Sequence, residues 1–343
     1  MGEERWQYGM QKYLSENSFS STDGEIWFRY MQQAIDEMES IEPEWILLGA
    51  GFNETFDAWF RQMGHPIVTA TNQNGKLRLS QRRFLHKGDE SFLEKPESNL
   101  EYKWNVPIFY VNALNEYKMK WLTTSESLEL DGVIGEDIWL DPEANAFIRL
   151  HFGSVEQHFE AVTNMINRAT TDWAELPDNI HLSIAKVIDD TWEISTAQID
   201  YGVDILQVMD CTRFLSEYSI SGMAKQWPIW SAARYAFERS TATSDGVEGY
   251  TRDQSTHRLM LFSENGPLYS NYMGSLIKDE AMEQYWLDYD RFDLKHEELM
   301  MISHMFEWHC QFDNAVCLNY AYKAFSDVKN EIYNKDAINV NYR

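Results

Sequence analysis

Two hydrophobic periods divide the chain. At its N-terminal end apolar positions recur at helical spacing. Tyr8, Tyr13 and Leu14 precede a polar turn over Ser15 to Gly24, and Ile26, Trp27, Tyr30, Met31, Ala34 and Met38 then fall along one face. Pro43 fits the first turn of another short helix, and Phe56, Trp59, Phe60 and Met63 carry the pattern on, so residues 1–62 are expected to be a helical segment. At His65-Pro66 the period shortens to two. Val68 and Ala70 alternate with polar residues, Asn74-Gly75 follows, and alternation resumes at Leu77 and Leu79. Asn-Gly between two alternating runs predicts a tight hairpin, because both turn residues must accept positive φ. Further strands are expected at Val106 to Val111, at Met119 and Trp121 beside their lysines, at Ile138 and Leu140, and at Ile148, Leu150 and Phe152. Residues 63–153 therefore read as a small antiparallel β-sandwich with one inward face per sheet.

From about residue 154 the helical period returns and stays. Ile180, Ile184, Val187 and Ile188 form one stripe, and Ile199, Val203 and Leu206 a second. Leu299, Ile302, Phe306 and Cys310 form a third, and Cys317, Ala321, Ala324 and Val328 a fourth. Polar breaks are expected at Glu193 to Thr196, Ser240 to Gly249 and Gln311 to Asn314. Short amphipathic helices joined by short loops pack as antiparallel pairs, so residues 154–343 are expected to form an α-α superhelical array of the HEAT or armadillo kind, although no sharp repeat is visible. Plain core packing accounts for every one of these stripes.

Composition narrows the function classes. A chain of 343 residues, 44% of them apolar, has room for two or three domains with a substantial core. The 55 acidic residues outnumber 29 basic ones, for a formal net charge of −26. That balance repels phosphate backbones and anionic membrane surfaces, so nucleic acid is excluded as a partner; a solvated acidic surface is its ordinary meaning. No apolar run is long enough to span a membrane. Met1 to Met10 is charged and aromatic and lacks the apolar centre of a signal peptide, so a targeting signal for a secreted parent is expected outside this chain. Three cysteines, Cys211, Cys310 and Cys317, are too few for a disulfide scaffold. Asn53-Glu54-Thr55 is the only Asn-x-Ser/Thr sequon and makes Asn53 a candidate glycosylation site.

No catalytic constellation is complete in the sequence. A zinc peptidase helix needs His at i and i+4 with a Glu between them. His296-Glu297-Glu298-Leu299-Met300 begins that pattern and ends on Met. His304, Glu307 and His309 are close in sequence, but five residues set the two imidazoles about 140° apart around a helix. Asp288, Asp290 and Asp293 lack the glycine and terminal glutamate of a calcium loop. No nucleophile elbow, phosphate loop or dinucleotide fingerprint occurs, and Cys211 would act as a nucleophile only beside a spatially adjacent His. No catalytic, cofactor-binding or metal-binding residue is therefore assigned.

The order of several segments resembles one family. Thr55-Phe56-Asp57-Ala58-Trp59-Phe60-Arg61-Gln62-Met63-Gly64-His65-Pro66-Ile67-Val68 is similar to the entry into the β-sandwich of the zinc aminopeptidases, the family of membrane alanyl, glutamyl, puromycin-sensitive and endoplasmic reticulum aminopeptidases. Leu79 to Leu85, Tyr102 to Ile108, Pro177 to Tyr218 and Trp227-Pro228-Ile229-Trp230-Ser231-Ala232-Ala233 continue the likeness through that family's sandwich and into its C-terminal helical domain. Tyr8 to Leu14 and Ile26-Trp27 resemble the last helices of its catalytic domain. The resemblance implies a disulfide between Cys310 and Cys317; the spacing by itself leaves two reduced cysteines on packed helices equally open. It also implies an oxidising compartment, extracellular or on a membrane-associated ectodomain. The family's zinc ligands, substrate-amine loop and transition-state Tyr all precede the matched region, so zinc is a cofactor of the full-length family and not of this chain. The strand ending Leu150-His151-Phe152-Gly153 departs from the family pattern, and Asn341-Tyr342-Arg343 falls about midway through its helical domain.

Three functions compete at this point. The chain is a non-catalytic C-terminal region that packs against and caps a zinc peptidase domain; or a stand-alone helical module that binds a peptide or protein, as a monomer or a homo-oligomer; or an enzyme with an unrecognised site.

Overall fold

The computed structural model describes residues 1–38, 51–85, 101–124, 127–153, 180–197, 227–239, 266–276, 296–311 and 315–333, with isolated positions between 156 and 167 and between 209 and 215. Two compact units emerge, Met1–Ser183 with Asp190–Gln207 and Ile184–Asp189 with Val208–Arg343.

Among the described residues the first unit begins with three helices, α1 (Glu3–Glu16), α2 (Gly24–Glu37) and α3 (Phe52–Arg61). Asp23 caps α2 by accepting the Ile26 N–H at 2.9 Å, and Asn17 closes α1 by donating its side-chain amide to the Tyr13 carbonyl at 2.8 Å. Gly9 lets α1 and α2 meet closely: a Cβ there would stand 3.1 Å from the Met31 sulfur and 3.2 Å from the Ala34 Cβ. Met31 and Ala34 are fully buried at that contact. The short helix expected around Pro43 lies outside the described residues.

At the outer end of the α1–α2 pair, Glu37 accepts from Tyr8 Oη at 2.6 Å and Lys12 Nζ at 2.8 Å. The lysine hydrogen bond, helped by Tyr8 and Gln33, holds the Glu37 carboxyl down at about 2, and the same bond raises Lys12. A carboxyl lowered on folding stabilises above its unfolded value near 4.5 and loses that contribution as pH falls toward 2. Acid titration followed through the fluorescence of Trp6 and Trp27 is thus expected to show α1 loosening from α2 across that window. Glu37→Gln is expected to remove this limb.

Among the described residues seven strands follow: β1 (Pro66–Gln73), β2 (Lys76–Arg83), β3 (Val106–Val111), β4 (Tyr117–Leu122), β5 (Leu128–Asp131), β6 (Trp139–Leu140) and β7 (Arg149–His151). Asn74 and Gly75 form the predicted hairpin turn at φ 52° and 75° and set the Gln73–Lys76 register. One sheet has the order β5-β2-β1-β7, the other β4-β3-β6. Val68, Ala70, Leu77, Leu79, Leu130 and Leu150 share one buried face of the first sheet. Val106, Ile108, Tyr110, Leu122 and Leu140 share one buried face of the second.

Three local expectations change. β7 lies parallel to β1, so the first sheet is mixed rather than antiparallel: the chain leaves β6 in one sheet and crosses to the other before pairing. β5 is a strand the pattern did not flag, since four residues carry only two inward positions, Leu128 and Leu130. The break expected at Glu193 to Thr196 does not occur, because α4 runs unbroken over Ile180–Thr196. That stretch holds no Gly or Pro to stop a helix, and Ile194 and Ala197 find a core with Ile67 and Phe84.

The second unit contains α5 (Trp227–Arg239), α6 (Gly266–Ser275), α7 (His296–Gln311) and α8 (Ala315–Tyr333). Pro228 sits in the first turn of α5, where a missing N–H costs nothing. Trp308 of α7 donates its indole N–H to the Met273 carbonyl of α6 at 3.0 Å and meets Trp230 of α5 edge-on at 6.3 Å. The stripe at Ile199, Val203 and Leu206 lies outside the described residues.

Candidate docking surface

Aromatic side chains link α1, α2, α3 and β4 into one array. The Trp6 ring lies 5.7 Å from Trp27, and Trp27 and Phe28 both contact Phe60, at 5.0 and 5.1 Å. Phe28 meets Phe52, Phe52 meets Phe56 at 4.7 Å, and Phe56 meets Trp121 of β4 at 6.5 Å. The pattern of α3 explains which rings are hidden. Phe52, Thr55 and Ala58 turn inward on successive turns, so Phe60 and the following Met63 point away. Phe60 is 60% exposed, Met63 55% and Trp6 44%.

A second group adjoins α3. Trp59 donates its indole N–H to the Asn105 carbonyl at 2.9 Å and lies near Phe147, which also covers His65 with ring centroids 5.2 Å apart. Phe147 is 72% exposed. Arg61 is pinned beside these rings by Asp57 and Glu25, and the Asp57 hydrogen bond raises its pKa further. Exposed apolar side chains with a charged rim are the makeup of an interaction surface, not of a catalytic cleft.

The residues singled out in the sequence are placed as follows. Cys310, in α7, and Cys317, in α8, form a disulfide, with Cα atoms 5.3 Å apart. Asn53 is exposed on the first turn of α3, while Thr55 of its sequon is buried and donates its hydroxyl to the Gly51 carbonyl at 2.7 Å. His296 is exposed. His304 packs edge-on against Trp227 at 4.3 Å, and its Nδ1 lies 3.1 Å from Arg234 Nη1. A guanidinium only donates, so this Nδ1 is the unprotonated nitrogen. The other Arg234 amino group pairs with Glu307 at 2.7 Å. His304 and Glu307 are thus organised around an arginine, the opposite of a metal's needs. Among the described residues no three His, Cys, Asp or Glu side chains converge as a metal would require. The His309 side chain, Cys211, Asp288, Asp290 and Asp293 lie outside the described residues.

One polar centre escaped the sequence reading. Asp190 is buried and binds Arg149 Nη1 through one oxygen and the Leu150 N–H through the other, each at 2.9 Å. The available signal was an acidic residue three positions after Val187 on an apolar helix face, which requires a partner.

The sequence is similar to part of the glutamyl aminopeptidases and aminopeptidases N. Glutamyl aminopeptidase of Rattus norvegicus is 27% identical over 222 residues, 62% of this chain and 20% of that protein. Glutamyl aminopeptidase of Bitis rhinoceros is 24% identical over 321 residues, 91% of this chain and 28% of that protein. Aminopeptidase N of Mus musculus is 21% identical over 260 residues, 72% of this chain and 23% of that protein. The matches thus span less than a third of the length of these relatives. No protein-family model matches the chain. No helix among the described residues is long and apolar enough to cross a membrane.

Proposed function

We propose that this chain is the non-catalytic C-terminal region of an aminopeptidase-like protein, and that it packs against and caps a zinc peptidase domain and so shapes peptide access. In this reading residues 1–62 are the end of the catalytic domain, 63–153 a β-sandwich, and 154–343 part of an α-α superhelical array. The observation that carries it is the apolar surface around α3, where Trp6, Phe60, Met63 and Phe147 remain exposed beside a well-buried aromatic core. The likeness to one part of much longer aminopeptidases supports it. Zinc would be held by the peptidase domain. The Cys310–Cys317 bridge and glycosylation of Asn53 would place the protein in an oxidising, extracellular or ectodomain setting, and intact-mass measurement of the secreted chain reads both.

Co-expression with the zinc domain of an aminopeptidase of the glutamyl type tests the packing. The two are expected to co-purify, and Phe60→Asp with Phe147→Asp is expected to abolish this while changing the chain's own stability by only about 0.5 kcal/mol per site. Turnover of a fluorogenic aminoacyl amide by the purified chain alone, with stoichiometric metal, would overturn the proposal. A clean monomer that binds no hydrophobic dye would favour the stand-alone module.

A further inference from the structure

β4 is an edge strand among the described residues, paired on one side only, with β3. Its outward hydrogen-bonding groups follow from the register. The Asn112 N–H donates to the Glu116 carbonyl at 3.1 Å, which makes that opposed pair a hydrogen-bonded one. Antiparallel pairs alternate, so Tyr110–Lys118, Ile108–Lys120 and Val106–Leu122 are hydrogen-bonded and Phe109–Met119 is not. The Phe109 carbonyl agrees, since it accepts from the Asp141 N–H at 2.8 Å, on the side away from β4. The N–H and C=O of Tyr117 and Met119 therefore point to the open edge.

The side chains of this edge are unusual for so acidic a chain. Lys118 and Lys120 lie on one face and both are exposed; Tyr117 and Met119 lie on the other. Lys118 pairs with Glu116 at 3.0 Å, and Lys120 has no ion pair among the described residues. Two lysines in register repel a second copy of the same strand, a common protection of sheet edges. They leave the edge complementary to a strand of opposite charge.

We propose that the β4 edge binds an extended acidic peptide as an added strand, with carboxylates opposite Lys118 and Lys120 and apolar side chains opposite Tyr117 and Met119. Main-chain hydrogen bonds to Tyr117 and Met119 supply affinity, and the alternating side chains supply selectivity. The site adjoins the α3 docking surface through Trp121 of β4, which meets Phe56, but its test reads substitutions at Lys118, Met119 and Lys120 and does not depend on the occupant of that surface.

A fluorescein-labelled peptide of alternating Glu and Val, titrated into the full chain and followed by polarisation, tests this. Saturable binding is expected, weakened about tenfold by Lys120→Glu, with like charges then opposed across the strands. Met119→Pro removes an N–H that takes no part in the β3 ladder, so it is expected to abolish binding with little change in melting temperature. If Met119→Pro does not fold, Lys118→Glu with Lys120→Glu makes the same test. These reversals should transfer preference to the alternating Lys and Val peptide. The proposal is overturned if the lysine peptide binds the unaltered edge equally well, or if binding ignores the substitutions in β4. It is also overturned if the chain self-associates through this edge, read as dimerisation lost in Met119→Pro.

Discussion

Asp190→Ala is expected to lower the stability of the first unit by about 3 kcal/mol, read as a lower urea midpoint at unchanged slope. The carboxylate is almost entirely buried, and it holds two donors. One oxygen faces Arg149, whose side chain is only 21% exposed, and the other faces the Leu150 N–H. Truncation takes the Asp190 carboxylate away from a poorly solvated guanidinium and from a backbone donor, and each loss carries a desolvation penalty. Asp190→Asn separates charge from shape. It fills the same space, but its amide nitrogen must turn toward one of the two donors, so it is expected to lose nearly as much as the alanine. If the asparagine variant matched the native midpoint, the pair would be a bystander and β7 would be held to α4 by packing alone.

What the sequence made legible divides along physical lines. The Asn74-Gly75 hairpin could be read because its signal is local: two residues that tolerate positive φ between two alternating runs. The helices at Glu3–Glu16 and Gly24–Glu37 could be read because apolar positions recur at helical spacing on both sides of the polar Ser15 to Gly24 stretch. β7 lying parallel to β1 could not be read, because strand neighbours are chosen by the path between sheets and not by strand composition. The continuation of α4 past Glu193 was hidden for a related reason: Ile194 and Ala197 are fixed by Ile67 and Phe84, more than a hundred positions earlier. At the docking surface, Phe60 and Met63 could be assigned to helical spacing, but only the fold shows that they face solvent while Phe52 and Ala58 do not. The aminopeptidase likeness was legible because it rests on the order of many short segments rather than on a single site. The partnership of Arg149 with Asp190, 41 positions apart, was not.

Gln81 carries the second large effect. It lies on the inward face of β2, in line with Leu77 and Leu79, where an amide must find partners or cost stability. Its Nε2 donates to the Trp104 carbonyl at 2.7 Å and the Thr123 carbonyl at 3.0 Å, and its Oε1 accepts the Trp104 N–H at 2.9 Å. One side chain thus ties the first sheet to the segments flanking β3 and β4 in the second. Gln81→Leu fits the apolar face but takes the amide partner away from the N–H and C=O of the fully buried Trp104 and one donor away from the Thr123 carbonyl. A loss of about 3 kcal/mol is expected in denaturant unfolding. Gln81→Glu distinguishes this account from a volume effect. The carboxylate can still accept the Trp104 N–H, but its other oxygen then faces two carbonyls. The variant should be poor at neutral pH and regain stability as acid protonates it and restores one donor. A Gln81→Glu protein as stable as the native chain at pH 7, or one indifferent to pH, would show that the sheets are held by their apolar faces without this bridge.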